Sequence, residues 1–133
     1  MPTTKNILIV DDSASIRGVL RSLIDTQNDL AVCGEAVDGL EAIQKARELK
    51  PDLILLDLAM PKLNGAATAS ILKRMMPQIS IILFTMYEDA VQTLGLHVGV
   101  DVVLAKPDGI SNILPRVRQL FASRSGEPGL SPA

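Results

Sequence analysis

Asp11 and Asp12 follow the apolar run Asn6 to Val10, and Asp57 follows Leu53 to Leu56. Thr85 follows Ser80 to Phe84, and Lys106 follows Asp101 to Ala105. Short apolar runs of this kind read as buried strands. As parallel strands of one sheet they bring three carboxylates, a hydroxyl and an ammonium to its carboxyl edge, where open α/β sheets bind ligands. Acids gathered there repel one another, and such a cluster persists when a cation neutralises it or one acid takes up a proton. Oxygen-only ligands select a hard ion, Mg²⁺ or Mn²⁺, over zinc or copper. A divalent ion, a lysine and a hydroxyl aimed at one carboxylate are the equipment for holding a phosphoryl group. The ion and Lys106 would offset charge on the phosphoryl oxygens and Thr85 would bond another. Asp57, already ionised, would attack in line without a general base.

Each residue alone has a plainer reading. Asp12 before a helix can be an N-cap, Thr85 can bond its own loop, and Lys106 can be a surface cation. Their convergence at one edge separates the two cases.

The segments between the runs have helical periodicity. Ile16, Val19, Leu20, Leu23 and Ile24 recur at helical offsets in a first helix over about Ser13 to Gln27. A second opens at Asp38, which can cap backbone N–H groups while Glu41 reaches back, and ends before Pro51; its inward face is expected at Leu40, Ile43 and Ala46. A third runs from about Gly65 to Met76, stopped by Pro77, with Ile71, Leu72, Met75 and Met76 as its larger apolar residues and the two methionines as core filler. A fourth, over Glu88 to Val98, is weakened by Gly95. A fifth carries Ile113, Leu114, Val117, Leu120 and Phe121, but Pro115 lacks an N–H, so either Ser111 caps a late start or the first turn is kinked. Five strands alternating with five helices predict an α/β fold, a doubly wound parallel sheet in the order 2-1-3-4-5. The topological switch then falls between strands 1 and 3, where Asp11, Asp12 and Asp57 emerge.

A chain of 133 residues, 47% apolar with net charge −2, suits one globular domain. The expected division is 1–122 for that domain and 123–133 for a disordered tail or linker stub, rich in Ser, Gly, Glu and Pro. No apolar stretch reaches the length of a membrane span and no signal-peptide pattern opens the chain, so the expected location is the cytoplasm. One cysteine, Cys33, and one histidine cannot furnish a zinc site. Balanced charge and 2% aromatic content argue against nucleic-acid binding by this chain itself.

Together these residues resemble the receiver domain of bacterial two-component response regulators. The resemblance covers about Lys5 to Ala122: the acidic pair Asp11-Asp12, the run Pro51 to Asp57, Met60-Pro61, Asn64-Gly65, Thr85 and Lys106-Pro107. Cys33-Gly34-Glu35-Ala36 with Asp38-Gly39 is most similar to the LuxR/NarL-type subfamily. The resemblance implies a flavodoxin-like (βα)5 fold in which Asp57 accepts a phosphoryl group from a phosphohistidine on a sensor histidine kinase or phosphotransfer protein. It implies Mg²⁺ held by Asp12, Asp57 and the Ala59 carbonyl, with Asp11 acting through water, while Thr85 and Lys106 sense the phosphoryl group. It also implies an output domain or partner protein, controlled through the surface of helix 4, strand 5 and helix 5. Kinase choice is implied on Ala14, Arg17, Gly18, Arg21 and Asp108. On this reading the chain is no enzyme beyond its own phosphorylation and dephosphorylation.

Two departures stand out. Val103 occupies the strand-5 position where many receivers carry a switching aromatic, leaving Tyr87 as the nearest ring to move with Thr85. No DNA-binding helix-turn-helix follows, so the chain is either a stand-alone module or a receiver cut from a longer, transcription-regulating protein. Oligomeric state, a homodimer included, stays open. Two rival classes are an aspartyl-phosphate-forming phosphohydrolase and a flavodoxin-like ligand-binding module. The first wants an acid at Ala59, and the second a glycine-rich or hydroxyl-rich loop where Asp11-Asp12 stands.

Overall fold

A computed structural model describes the backbone over residues 4–58, 63–85 and 102–125, and side chains over 4–58, 63–84 and 112–122. Five parallel strands, β1 (Lys5–Val10), β2 (Leu30–Ala36), β3 (Leu53–Asp57), β4 (Ser80–Thr85) and β5 (Val102–Ala105), form one sheet in the order β2-β1-β3-β4-β5. β3 is buried at every position, as a strand covered on both faces must be. β2, at the edge, is mostly half-buried and skips Cys33 in its register, since Ile7 pairs with Val32 but Leu8 with Gly34.

The period of two along each strand divides the core. Leu8, Val10, Ile54, Leu56, Ile81 and Leu83 face helices α2 (Gly39–Leu49) and α3 (Gly65–Met75). Ile7, Ile9, Leu53, Leu55, Ile82 and Phe84 face α1 (Ala14–Asp25) and the C-terminal helix (Lys106–Ser125). The expected fourth helix, with Gly95, lies outside the described residues.

α1 starts one residue inside its expected span because Ser13 is its N-cap, accepting from Ile16 N. α2 opens as anticipated: Asp38 accepts from Glu41 N at 2.8 Å, and Glu41 accepts from Val37 N at 2.8 Å. Its inward face is corrected. Gly39, Ala42 and Ala46 are buried and Ile43 packs at the margin, while Leu40 is 56% exposed. The reason is close helix contact: a Cβ on Gly39 would lie 2.1 Å from Thr68 Oγ1 of α3, so small residues must form that seam. Val19 of α1 likewise faces out, at 47% exposure.

The C-terminal helix begins directly at Lys106, so no late start at Ser111 occurs. It passes through Pro115 and continues beyond Ala122 to Ser125. An interior proline costs about 3 kcal/mol. Burial of Ile113 and Val117 on either side of it, each contributing roughly 1.5–3 kcal/mol, offsets that loss. Residues 126–133 of the expected tail lie outside the described residues.

Candidate functional site

The register of the central strands builds the site. Val10 pairs with Leu56, so Asp11 and Asp57 come next along neighbouring strands, one buried completely and the other 2% exposed. Asp12 follows at the surface. One carboxylate oxygen from each of Asp11, Asp12 and Asp57 lies within 4.8 Å of the others. The three acids expected to converge therefore do so at the carboxyl edge, where β1 and β3 part.

Local hydrogen bonds fix this geometry. Asp11 N donates to Ala36 O at 3.1 Å, tying the end of β1 to β2. Asp11 Oδ1 accepts from Ser13 N at 2.8 Å. With Ser13 as the cap of α1, the capping alternative for Asp12 does not apply. On the other side, Leu58 N donates to Phe84 O at 3.0 Å, and Gly65 N donates to Leu58 O at 2.8 Å. Asn64 accepts from Ala67 N at 2.9 Å and starts α3 beside Asp57.

Asp57 pairs in register with Phe84, and Thr85 with Ala105, so Thr85 and Lys106 stand at the carboxyl ends of β4 and β5 on the same edge. The side chains of Thr85, Val103 and Lys106, and all of Ala59 and Tyr87, lie outside the described residues.

The donor set suits a hard divalent cation that keeps several waters, since it is carboxylate oxygen alone with one acid open to solvent. Cys33 takes no part: half-buried on β2 against the core, its thiol is pushed up by burial and stays protonated at neutral pH. A groove of about 310 Å³ lined by Lys5, Lys50, Asp52 and Phe121 opens at the opposite edge, where the strands begin, away from the acids.

The sequence motifs contain Gly65 and Glu35 but do not show the contacts these residues make at the site. Gly65 packs on the backbone of Asp57. Glu35 receives Arg17 and Arg21, residues expected on a partner-reading surface. The i, i+4 arginines of α1 were the available signal for the second, and the Asn64-Gly65 pair for the first.

The sequence profile of the response regulator receiver domain matches residues 7–118. The response regulator protein VraR of Staphylococcus epidermidis is 38% identical over 120 residues, 90% of this chain and 57% of VraR, so the chain spans little more than half of that relative. Among solved structures, the response regulator domain of Thermotoga maritima CheB superposes with a TM-score of 0.81 at 36% identity, over 88% of this chain and 96% of that one. A LuxR-family two-component response regulator from an Aurantimonas species gives a TM-score of 0.84 at 26% identity, over 91% and 87% of the two chains. With the sheet order, the acid cluster and the profile in agreement, the chain belongs to the response regulator receiver family, the phosphoacceptor signalling domains of two-component systems.

Proposed function

We propose that Asp57 is the phosphoacceptor and that Asp11, Asp12 and Asp57 form the metal site that serves it. The observation that carries this reading is the meeting of three carboxylates within 4.8 Å at the switch point of the sheet, with Asp57 almost wholly enclosed. Mg²⁺, or Mn²⁺ in its place, would be held by Asp12, Asp57 and the Ala59 carbonyl, with Asp11 through water, and supplies positive charge to the phosphoryl oxygens.

A carboxylate oxygen of Asp57 attacks phosphorus in line. The new P–O bond forms as the bond to the donor's imidazole nitrogen breaks, and the electron pair leaves with the imidazole. Thr85 and Lys106 bind the transferred group, a role supported by the pairing of Thr85 with Ala105 just before Lys106. The donor is a sensor histidine kinase or histidine phosphotransfer protein, and the reader is an output domain or partner protein. Thr85 moving toward the phosphoryl group carries Tyr87 with it, and the aliphatic Val103 refills the space on strand 5. The protein acts in the cytoplasm, where such kinases present their phosphohistidines.

Acetyl phosphate with Mg²⁺ is expected to add one phosphoryl group by intact-mass spectrometry, and Asp57→Ala or chelation of the metal to abolish the addition. Equal labelling of Asp57→Ala would falsify the assignment. Beryllofluoride with Mg²⁺ should shift amide resonances at Thr85, Tyr87 and Val103. Shifts confined to Asp11, Asp12 and Asp57 would leave an acceptor without this switch.

A further inference from the structure

Beside the acid cluster stands a second group of charges with no part in the chemistry above. Arg17 donates from Nε to Glu35 Oε1 at 2.9 Å and from Nη1 to the carbonyl oxygen of Asp11 at 2.8 Å. Arg21, one turn along α1, donates from Nε to the other Glu35 oxygen at 2.7 Å. Each oxygen of Glu35 thus takes one guanidinium, and together Arg21 and Arg17 hold its carboxyl below the ordinary carboxylate range. The Arg17 side chain is only 17% exposed, with its planar fork fixed by bonds to Glu35 of β2 and to Asp11 just after β1.

The carbonyl that Arg17 holds belongs to Asp11, whose carboxylate meets those of Asp12 and Asp57. A guanidinium therefore sits within one residue of an acid triad, turned onto the main chain and Glu35. Guanidinium is the cation best matched to carboxylates, through its two-pronged geometry. A tethered group acts at an effective concentration of the order of millimolar or more. That is enough to rival an ion held by few protein oxygens.

We propose that Glu35 is a positioning residue for the metal site, holding Arg17 on the Asp11 carbonyl and so keeping its guanidinium off the carboxylates that take the divalent cation. The role rests on the reading of the acid cluster given under Proposed function. Glu35 also offsets the charge of Arg17, so the bound guanidinium repels an incoming cation little. Arg21, more exposed and a turn further along α1, anchors Glu35 from the solvent side.

Mg²⁺ titration of the metal-free protein, followed by amide NMR shifts, tests this without reference to phosphorylation. Glu35→Ala is expected to raise the Mg²⁺ Kd about three- to tenfold, the effect of one uncompensated charge near the ion. Arg17→Ala alone is expected to bind Mg²⁺ within about twofold of the unsubstituted chain, and removing Arg17 from Glu35→Ala to recover that affinity, because the competitor is then gone. The near-isosteric Glu35→Gln, which keeps one acceptor oxygen and loses the charge, carries the same expectation should Glu35→Ala not fold. A double variant as weak as Glu35→Ala would overturn the proposal in favour of simple loosening of the Asp11 backbone. Glu35 variants that bind Mg²⁺ like the unsubstituted chain would overturn it as well, with the acid cluster's own role intact. An unsubstituted chain that binds no Mg²⁺ would overturn the acid cluster's role, and that of Glu35 with it.

Discussion

A Cβ on Gly65 would lie 2.2 Å from the carbonyl oxygen of Asp57 and 2.9 Å from its carbonyl carbon, so the first residue of α3 rests on the backbone of the proposed phosphoacceptor. Nothing flexible can yield there, since both atoms are main chain. Gly65→Ala must push α3 away from β3 or displace Asp57 from its neighbours Asp11 and Asp12. We expect a loss of about 1–3 kcal/mol in denaturant melts, the usual range for overpacking. Slower phosphoryl uptake from acetyl phosphate should accompany it. Unchanged stability and uptake would mean that α3 shifts without disturbing the site.

Gly18 offers the contrasting case. It sits exposed inside α1, and a Cβ there meets nothing within 4 Å. Gly18→Ala should therefore stabilise the protein by roughly 0.5–1 kcal/mol through helix propensity alone. Because the position lies on the face implied for kinase recognition, uptake from acetyl phosphate should be unchanged while transfer from a cognate kinase is free to change. A fall in stability would show that α1 is bent or strained at this point.

The acids and the strand order were legible because both depend on short-range pattern. Apolar runs of strand length place Asp11, Asp12 and Asp57 at strand ends, and alternation with helices then dictates a parallel sheet whose switch lies between β1 and β3. Caps such as Asp38 were legible for the same reason, since donor and acceptor lie within one helical turn. Of the expected inward face Leu40, Ile43 and Ala46, only Leu40 points out, because the seam between α2 and α3 demands the smallest residues, Gly39 against Thr68, and that contact is between elements. The contacts of Glu35 were not legible because its partners lie 18 and 14 residues away on another element, a distance at which charge pattern alone selects no pair. The start of the C-terminal helix at Lys106, ahead of the late start at Ser111 that Pro115 allowed, was not legible, because burial of Ile113 and Val117 is tertiary and invisible to local propensity.

The clamp on Glu35 also has a pH signature. Its carboxyl is held below the ordinary value of 4.5, first by the Arg21 hydrogen bond and then by Arg17. A depressed carboxyl contributes stability that is fully present above the unfolded pKa and is lost as pH falls through the folded one. The side chain is 30% exposed, so screening limits the contribution to about 1 kcal/mol or less. The stability difference between the unsubstituted chain and Glu35→Gln should thus be constant from about pH 7 to about pH 5 and shrink below 4.5. Urea melts across that range in which the difference instead grew toward acid would mean that the arginines do not stabilise the ionised form.

Repulsion within the acid cluster should be measurable in the absence of metal. Asp11 and Asp57 are buried, Asp12 is exposed, and their oxygens lie within 4.8 Å. Asp12→Asn and Asp57→Asn keep the shape of the side chain and remove one charge each, so both should stabilise the metal-free protein. The gain is on the order of 1 kcal/mol for the solvent-screened Asp12 and larger for Asp57, where less water intervenes. Mg²⁺ should reverse the ranking. An ion that binds the folded state stabilises it in proportion to its affinity, and the variants, with a ligand oxygen weakened, gain less than the unsubstituted chain. Urea melts with a chelator and again with Mg²⁺ separate the two effects. Variants already destabilised in the chelator would mean that hydrogen bonds local to β1 and β3 satisfy the acids, so that the cluster holds no strain for a cation to relieve.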